Sequence, residues 1–191
     1  MFCASFFHGL APADVLRRFG PDEEAGRQMP VEGLWEVVED FVRRTREGSG
    51  SGHVGVRQVG EWSVALELLG WYAVLHECYP AFSRGCEMVA VSRHDYAEDS
   101  FVYAADGELI TGFASRSPGR RWGGEPDRLN RAMGRAGLLH ESVDDAMEAW
   151  PGRHEHRIAR SFALAAEVTG VAFTPSLLDG PFLVGAISPH R

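Results

Sequence analysis

The chain has 191 residues, 45% of them hydrophobic, and a net charge of −8. The length points to one domain or one domain with an appendage, and the composition to a substantial core. The acidic balance excludes a nonspecific nucleic-acid binder and a protein held on an anionic membrane by basic residues. All 19 basic residues are arginine, which excludes lysine nucleophiles and Schiff bases.

Residues 2–10 are mildly hydrophobic, but they lack a basic flank and His8-Gly9 interrupts them. They are expected to be neither a signal peptide nor a membrane span. Pro12 opens a short helix to Phe19, which Gly20-Pro21 stops; Val15, Leu16 and Phe19 form its buried stripe. Residues 22–30 read as polar and irregular. Residues 33–45 make the clearest helix, with Leu34, Val37, Val38, Phe41 and Val42 on one face. Glu32 and Glu36 lie near its start and Arg43, Arg44 and Arg46 near its end, which suits the helix dipole. Gly48 to Gly52 alternates Gly and Ser and reads as a flexible linker.

Two strands, residues 53–59 and 62–68, follow, joined by Gly60-Glu61 as a type II′ turn. Trp62, Val64, Leu66 and Leu68 share one face, and Ser63, Ala65 and Glu67 the other. Residues 71–79 read as a short helix ended by Pro80, and residues 86–91 as a strand. The central feature is a hairpin about Asp106-Gly107, whose residue types supply the positive φ angles of a type I′ turn. Simple pairing sets Ala105 against Glu108, Ala104 against Leu109, Tyr103 against Ile110, Val102 against Thr111 and Phe101 against Gly112. Both faces carry apolar side chains, so the hairpin is expected to be covered on both sides.

Residues 116–125 read as a loop. A helix from Pro126 carries Leu129, Ala132, Met133 and Ala136 and is capped by Gly137. Ser142 is the N-cap of a helix to Trp150. A longer helix runs to Val168, with Ile158, Phe162, Ala165 and Ala166 inward. Thr174-Pro175 starts a short helical turn, and residues 182–187 form an edge strand or a packed tail. The expected architecture is α+β: one domain over residues 1–191, with a mainly antiparallel five-stranded sheet in a meander, packed by N- and C-terminal helices. Residues 1–47 and 117–191 are its helical parts, 48–52 its linker and 53–116 its β-rich middle.

Several fragments occur together in this order: LAPADVLRRFG near the start, GEWSVALE, SRGCEMVAVSR, FVYAADGELITGF, GGEPDRL and VTGVAFTPSLLD. Together, over residues 10–179, they resemble an uncharacterised actinobacterial family, domain of unknown function 6461. The family more usually has Thr or Ser before the first proline, as an N-cap, where this chain has Ala11. That departure weakens the first helix by about 1 kcal/mol. The resemblance implies a cytoplasmic bacterial protein and implies no activity.

The chemistry-bearing clusters are sparse. His76-Glu77-Cys78, Cys86, His94-Asp95 and His154-Glu155-His156 hold ligand residue types without metal-site spacing. No metal and no cofactor is therefore expected. Cys3, Cys78 and Cys86 are odd in number and widely spaced, which suits free thiols in a reducing cytoplasm. Cys78 and Cys86 occupy core-like positions, and no Gly-x-Ser-x-Gly elbow is present. Asp95, Glu98 and Asp99 read as a solvated acidic loop. Arg116, Arg120, Arg121 and Trp122 are the best local candidates for a binding site. Guanidinium forks and an indole before a helix start can hold a phosphate or carboxylate. Glu125 and Asp127 oppose that use, because they already satisfy the helix end.

The leading expectation is a non-enzymatic cytoplasmic module that binds a protein partner, immunity-like or regulatory, with no nucleic-acid or membrane partner. The alternative is a small enzyme or ligand-binding protein that recognises an anionic metabolite through the Arg120–Trp122 loop.

Overall fold

The structure, a computed structural model, describes residues 1–20, 26–45, 52–95, 99–139 and 154–188. Its strands are β1 (Phe2–His8), β2 (Arg27–Met29), β3 (His53–Val59), β4 (Trp62–Leu68), β5 (Glu87–Arg93), β6 (Ser100–Ala105), β7 (Glu108–Ala114), β8 (Arg121–Trp122) and β9 (Phe182–Ala186). They form one antiparallel sheet in the order β2-β9-β3-β4-β1-β5-β6-β7-β8. The helices are α1 (Pro12–Phe19), α2 (Val31–Thr45), α3 (Tyr79–Phe82), α4 (Asn130–Arg135) and α5 (His154–Thr169). Single 3-10 turns lie at Tyr72–Val74 and Pro175–Leu178.

The α+β class stands, but the sheet has nine strands and not five. The stretches read as helical contribute β1 and β2 at one end of the chain and β8 and β9 at the other. β1 inserts between β4 and β5, which splits the expected meander in two. It is buried on both faces from Cys3 to Phe7, so its sequence is a continuous apolar run without the usual alternation. β9 lies between β2 and β3 and is not an edge strand. β2 lies in the segment read as irregular, and β8 in the segment read as loop.

The central hairpin forms at Asp106-Gly107, with φ of +50° and +87°, as a type I′ turn requires. Ala105 pairs with Glu108 and Ala104 with Leu109, but the register then shifts by one: Tyr103 faces Thr111 and Phe101 faces Phe113. Ile110 is the extra residue of this bulge. The shift stacks the Phe101 and Phe113 rings at 5.0 Å. It also turns the carbonyls of Leu109 and Ile110 outward, where they accept hydrogen bonds from the amides of Gly124 and Glu125 at 2.9 Å each. The other turn, at Gly60, has φ of +61° at its first central residue, as a type II′ turn demands.

Pro80 does not end a helix. It sits in the first turn of α3, where its missing N–H is no loss, and residues 71–78 form only the 3-10 turn and a hydrogen-bonded turn at 76–78. The helix assigned to Pro126 begins at Asn130, and Gly137 (φ +70°) closes it, with the Leu138 amide donating to Met133 O at 2.9 Å. The helix expected from Ser142 to Trp150 and the linker residues 48–51 lie outside the described residues.

Helices cover both faces of the sheet. α2, α4 and α5 pack on one face, over Phe6, Val64, Leu66, Val89, Val91, Phe101, Phe113 and Phe182. α1, the 72–74 turn and α3 pack on the other, over Phe7, Ala65, Met88, Ala90, Val102 and Ala104. Among the described residues, no helix is long and apolar enough to cross a membrane.

Candidate functional site

The arginine loop is built onto the sheet edge. In β8, Trp122 pairs with Gly112 and Arg121 with Phe113. Gly112 permits this because the Trp122 indole occupies the space that a Cβ there would need. The Arg121 guanidinium donates to Pro126 O at 2.9 Å, Pro118 O at 3.0 Å and Asp127 Oδ1 at 2.6 Å. All three nitrogens are thus satisfied by the loop that carries them. The Asp127 carboxyl sits below its ordinary value because Arg121 and Asn130 donate to it. Arg128 pairs with Glu125 at 3.3 Å. Arg116 and Arg120 are exposed. The structure therefore ties Arg121 and Trp122 into the edge of the sheet and leaves Arg116 and Arg120 on the surface.

The His and Cys clusters disperse. His94 packs edge-on against Trp71 at 5.0 Å, and Asp95 accepts from the Met1 amine at 2.9 Å. Cys78 is buried, and burial pushes its thiol up to about 11. Among the described residues, no three His, Cys, Asp or Glu side chains gather in a group able to hold a metal. Glu98 lies outside the described residues, and burial raises the carboxyl of Asp99.

Three features lie beyond the residues singled out in the sequence. The first is Glu67, a buried carboxylate near the C-terminal end of β4, opposite Cys3 of β1. It accepts from the amides of Tyr72 at 2.6 Å and Ala73 at 3.0 Å, and from the Cys3 thiol. It therefore caps the 3-10 turn that follows Leu69, a residue with φ of +56°. Burial lifts its pKa from 4.5 to about 7, against the lowering effect of those three donors. The Cys3 thiol is pushed well above its usual value, first by burial and then by the Glu67 charge. A carboxylate poised near neutrality is a general-base candidate. Here both oxygens are engaged by the fold, and the group is sealed from solvent. A carboxylate within a strand whose other face is Trp62, Val64, Leu66 and Leu68 was the available signal.

The second feature is the outer face of α2. Glu32, Trp35, Glu36 and Glu39 follow i, i+3, i+4, i+7 spacing and form one exposed stripe. Trp35 is 45% exposed. Farther along, Glu39 pairs with Arg43 at 3.7 Å and Asp40 with Arg44 at 2.8 Å. The stripe was legible as the complement of the buried Leu34 and Val38.

The third is a surface depression of about 380 Å³ between α1 and α3, lined by Arg17, Arg18, Ala81 and Arg84. Arg18 donates to the carbonyls of Phe82 and Arg84 and to Cys86 Sγ at 3.2 Å. These residues are 64 to 68 positions apart in the chain, so no local motif announces them.

The chain matches the model of DUF6461, a family of unknown function, over residues 1–190, and it belongs to that family. No curated protein and no solved structure matches it.

Proposed function

We propose that this member of DUF6461 is a non-enzymatic, cytoplasmic module that binds a basic protein partner, as an immunity or regulatory protein does. The observation that carries this reading is Trp35, a large aromatic side chain 45% exposed within an acidic helical stripe. Tryptophan is enriched among the few side chains that dominate binding energy at protein interfaces. The flanking Glu32 and Glu36 add electrostatic steering toward a cationic surface, and the net charge of −8 has the same sign. A reducing cytoplasm suits the three free cysteines, Cys3, Cys78 and Cys86.

The test is affinity purification from the native cell with wild type beside Trp35→Ala and Glu32→Arg/Glu36→Arg. Any protein retained is then purified and titrated calorimetrically at low and high salt. The reading expects a partner of basic isoelectric point whose affinity falls about thirtyfold in Trp35→Ala. Binding should also weaken with salt and in the charge-reversed variant. Equal binding by all three proteins, at unchanged melting temperature, would reject the α2 face as the recognition surface.

A further inference from the structure

We propose that the depression between α1 and α3 is a binding site for a small phosphorylated anion, the phosphate of a metabolite or nucleotide. The inference is independent of the α2 surface. Arg17, Arg18, Arg84 and Ala81 line this depression, and the carboxylate beside it is Asp14, paired with Arg17. That is a local reversal of sign in a protein of net charge −8. It is an open depression of about 380 Å³, room for a phosphate group at the surface.

The three arginines differ in how they are held, and the difference suits a ligand. Arg18 is partly buried and fixed. Its Nη1 donates to Phe82 O and Cys86 Sγ and its Nη2 to Arg84 O, so it contributes a fixed positive charge rather than an open fork. The same bonds engage carbonyl oxygens at the end of α3 and in the turn after it, which would otherwise repel an anion. Arg17 pairs with Asp14 at 2.5 Å, but both side chains are largely exposed, at 66% and 45%. Such a surface pair contributes little and is readily exchanged. Arg84 is exposed in the turn after α3, which Gly85 makes possible at φ of +67°. The arrangement is one rigid cation with two adjustable ones at the rim. Guanidinium forks match the several oxygens and double charge of a phosphate better than a point cation does.

The test is calorimetric titration of the full chain with pyrophosphate and with ADP at low ionic strength. Wild type is compared with Arg17→Gln, Arg84→Gln and the double variant Arg116→Gln/Arg120→Gln. Arg18 is left intact, because its loss would detach α1 from the α3 turn. Saturable one-to-one binding is expected, weakened about tenfold by Arg17→Gln and by Arg84→Gln at unchanged melting temperature. The Arg116/Arg120 control should stay within about twofold of wild type. No saturable heat with either probe would overturn the assignment. Binding that survives Arg84→Gln but disappears in the Arg116/Arg120 variant would overturn it too, and would move the site to the β8 loop.

Discussion

The two faces of the sheet solve the same packing problem with opposite distributions of bulk. On the face under α2, α4 and α5 the strands supply the aromatic rings: Phe6, Trp62, Phe101, Tyr103, Phe113 and Phe182. The helices answer with Leu34, Val38, Met133, Leu164 and Ala165. On the face under α1 and α3 the strands present smaller groups, Ser5, Ala65, Ala90 and Ala104 among them, beside Val54, Val56, Met88 and Val102, and Phe7 of β1 is the ring they contribute. There the lid brings most of the rings, Phe19, Tyr72 and Phe82 among them. Phe19 and Phe82 stand 4.6 Å apart, with Phe7 and Tyr72 completing the cluster. Buried polar groups lie on both faces: Glu67 and Ser63 on the second, Thr111 and the Ser115–Ser161 hydroxyl pair on the first. Large against small is what dense packing across a layer requires. It follows that the lid of the second face is short, aromatic and tied down by specific polar contacts, whereas the first is held by apolar area.

Two substitutions break this complementarity from opposite sides. Phe101 is fully buried and stacked on Phe113. Phe101→Ala leaves a ring-sized cavity and is expected to cost about 3–5 kcal/mol. On the other face Ala90→Leu pushes extra volume against the α1 and α3 lid and is expected to cost about 1–3 kcal/mol. Urea unfolding curves measure both. If Ala90→Leu were neutral, the second face would be loosely filled and the contrast between the faces would be wrong.

Glu67 gives the second face a pH dependence. Its pKa rises from 4.5 to about 7 on folding, so between those values the folded state holds a proton that the unfolded chain has released. Stability from this group is complete below pH 4.5 and is lost as pH rises through about 7. The total loss is on the order of 3 kcal/mol. Glu67→Gln removes the titration while keeping an acceptor for the Tyr72 and Ala73 amides. The variant should show a flatter melting temperature from pH 5 to pH 8 than wild type, and should gain on it at the alkaline end. Parallel pH profiles would mean that the carboxyl stays ionised throughout.

Gly107 joins the central hairpin to the second lid, since its amide donates to Ser83 Oγ at 3.1 Å. At φ of +87° a β-branched side chain is strained, although an added Cβ would lie an acceptable 3.6 Å from Pro80 O. Gly107→Val is therefore expected to cost about 1–3 kcal/mol through backbone strain alone. Gly107→Asn, which tolerates this region, should cost less. Equal melting temperatures for the two variants would show that strain is not the cause.

The parts legible in the sequence were those with local punctuation. β3 and β4 show alternation bounded by Gly60, and the β6–β7 turn is declared by Asp106-Gly107. The helices over Leu34 and Val38 and over Leu164 and Ala165 carry their period openly. β1 was not legible because burial on both faces erases alternation. β2 and β8 have three and two residues, too few for any period to register. The bulge at Ile110 depends on the Gly124 and Glu125 amides claiming nearby carbonyls, a tertiary fact. Arg121 and Trp122 stood out in the sequence, but their partners Pro118, Pro126 and Gly112 became visible only once β8 was placed. Arg18 and Arg84 meet only because β1 and β5 are neighbours in the sheet, so the arginine depression has no sequence signature at all.

The smallest expected effect asks whether the second lid unfolds with the sheet or before it. α1 begins at Ala11, whose backbone is already extended at φ −72° and ψ 154° and whose side chain makes no cap. Its carbonyl accepts from the Asp14 and Val15 amides at 2.9 and 3.1 Å, so the backbone half of an N-cap is in place and only the side-chain acceptor is missing. Ala11 is exposed, and a serine there needs no repacking. Ala11→Ser should stabilise α1 by about 1 kcal/mol. How that gain appears discriminates between two pictures of the lid. If α1 and the sheet unfold together, the melting temperature rises by about 2–4 °C. If α1 opens alone, hydrogen exchange at its amides slows about fivefold while the melting temperature stays put. Arg18 and the Phe19 ring anchor the other end of α1 into the α3 turn and the aromatic cluster, which favours joint unfolding. A rise in melting temperature is therefore the expected result, and slowed exchange without it would make the second face a separately opening layer.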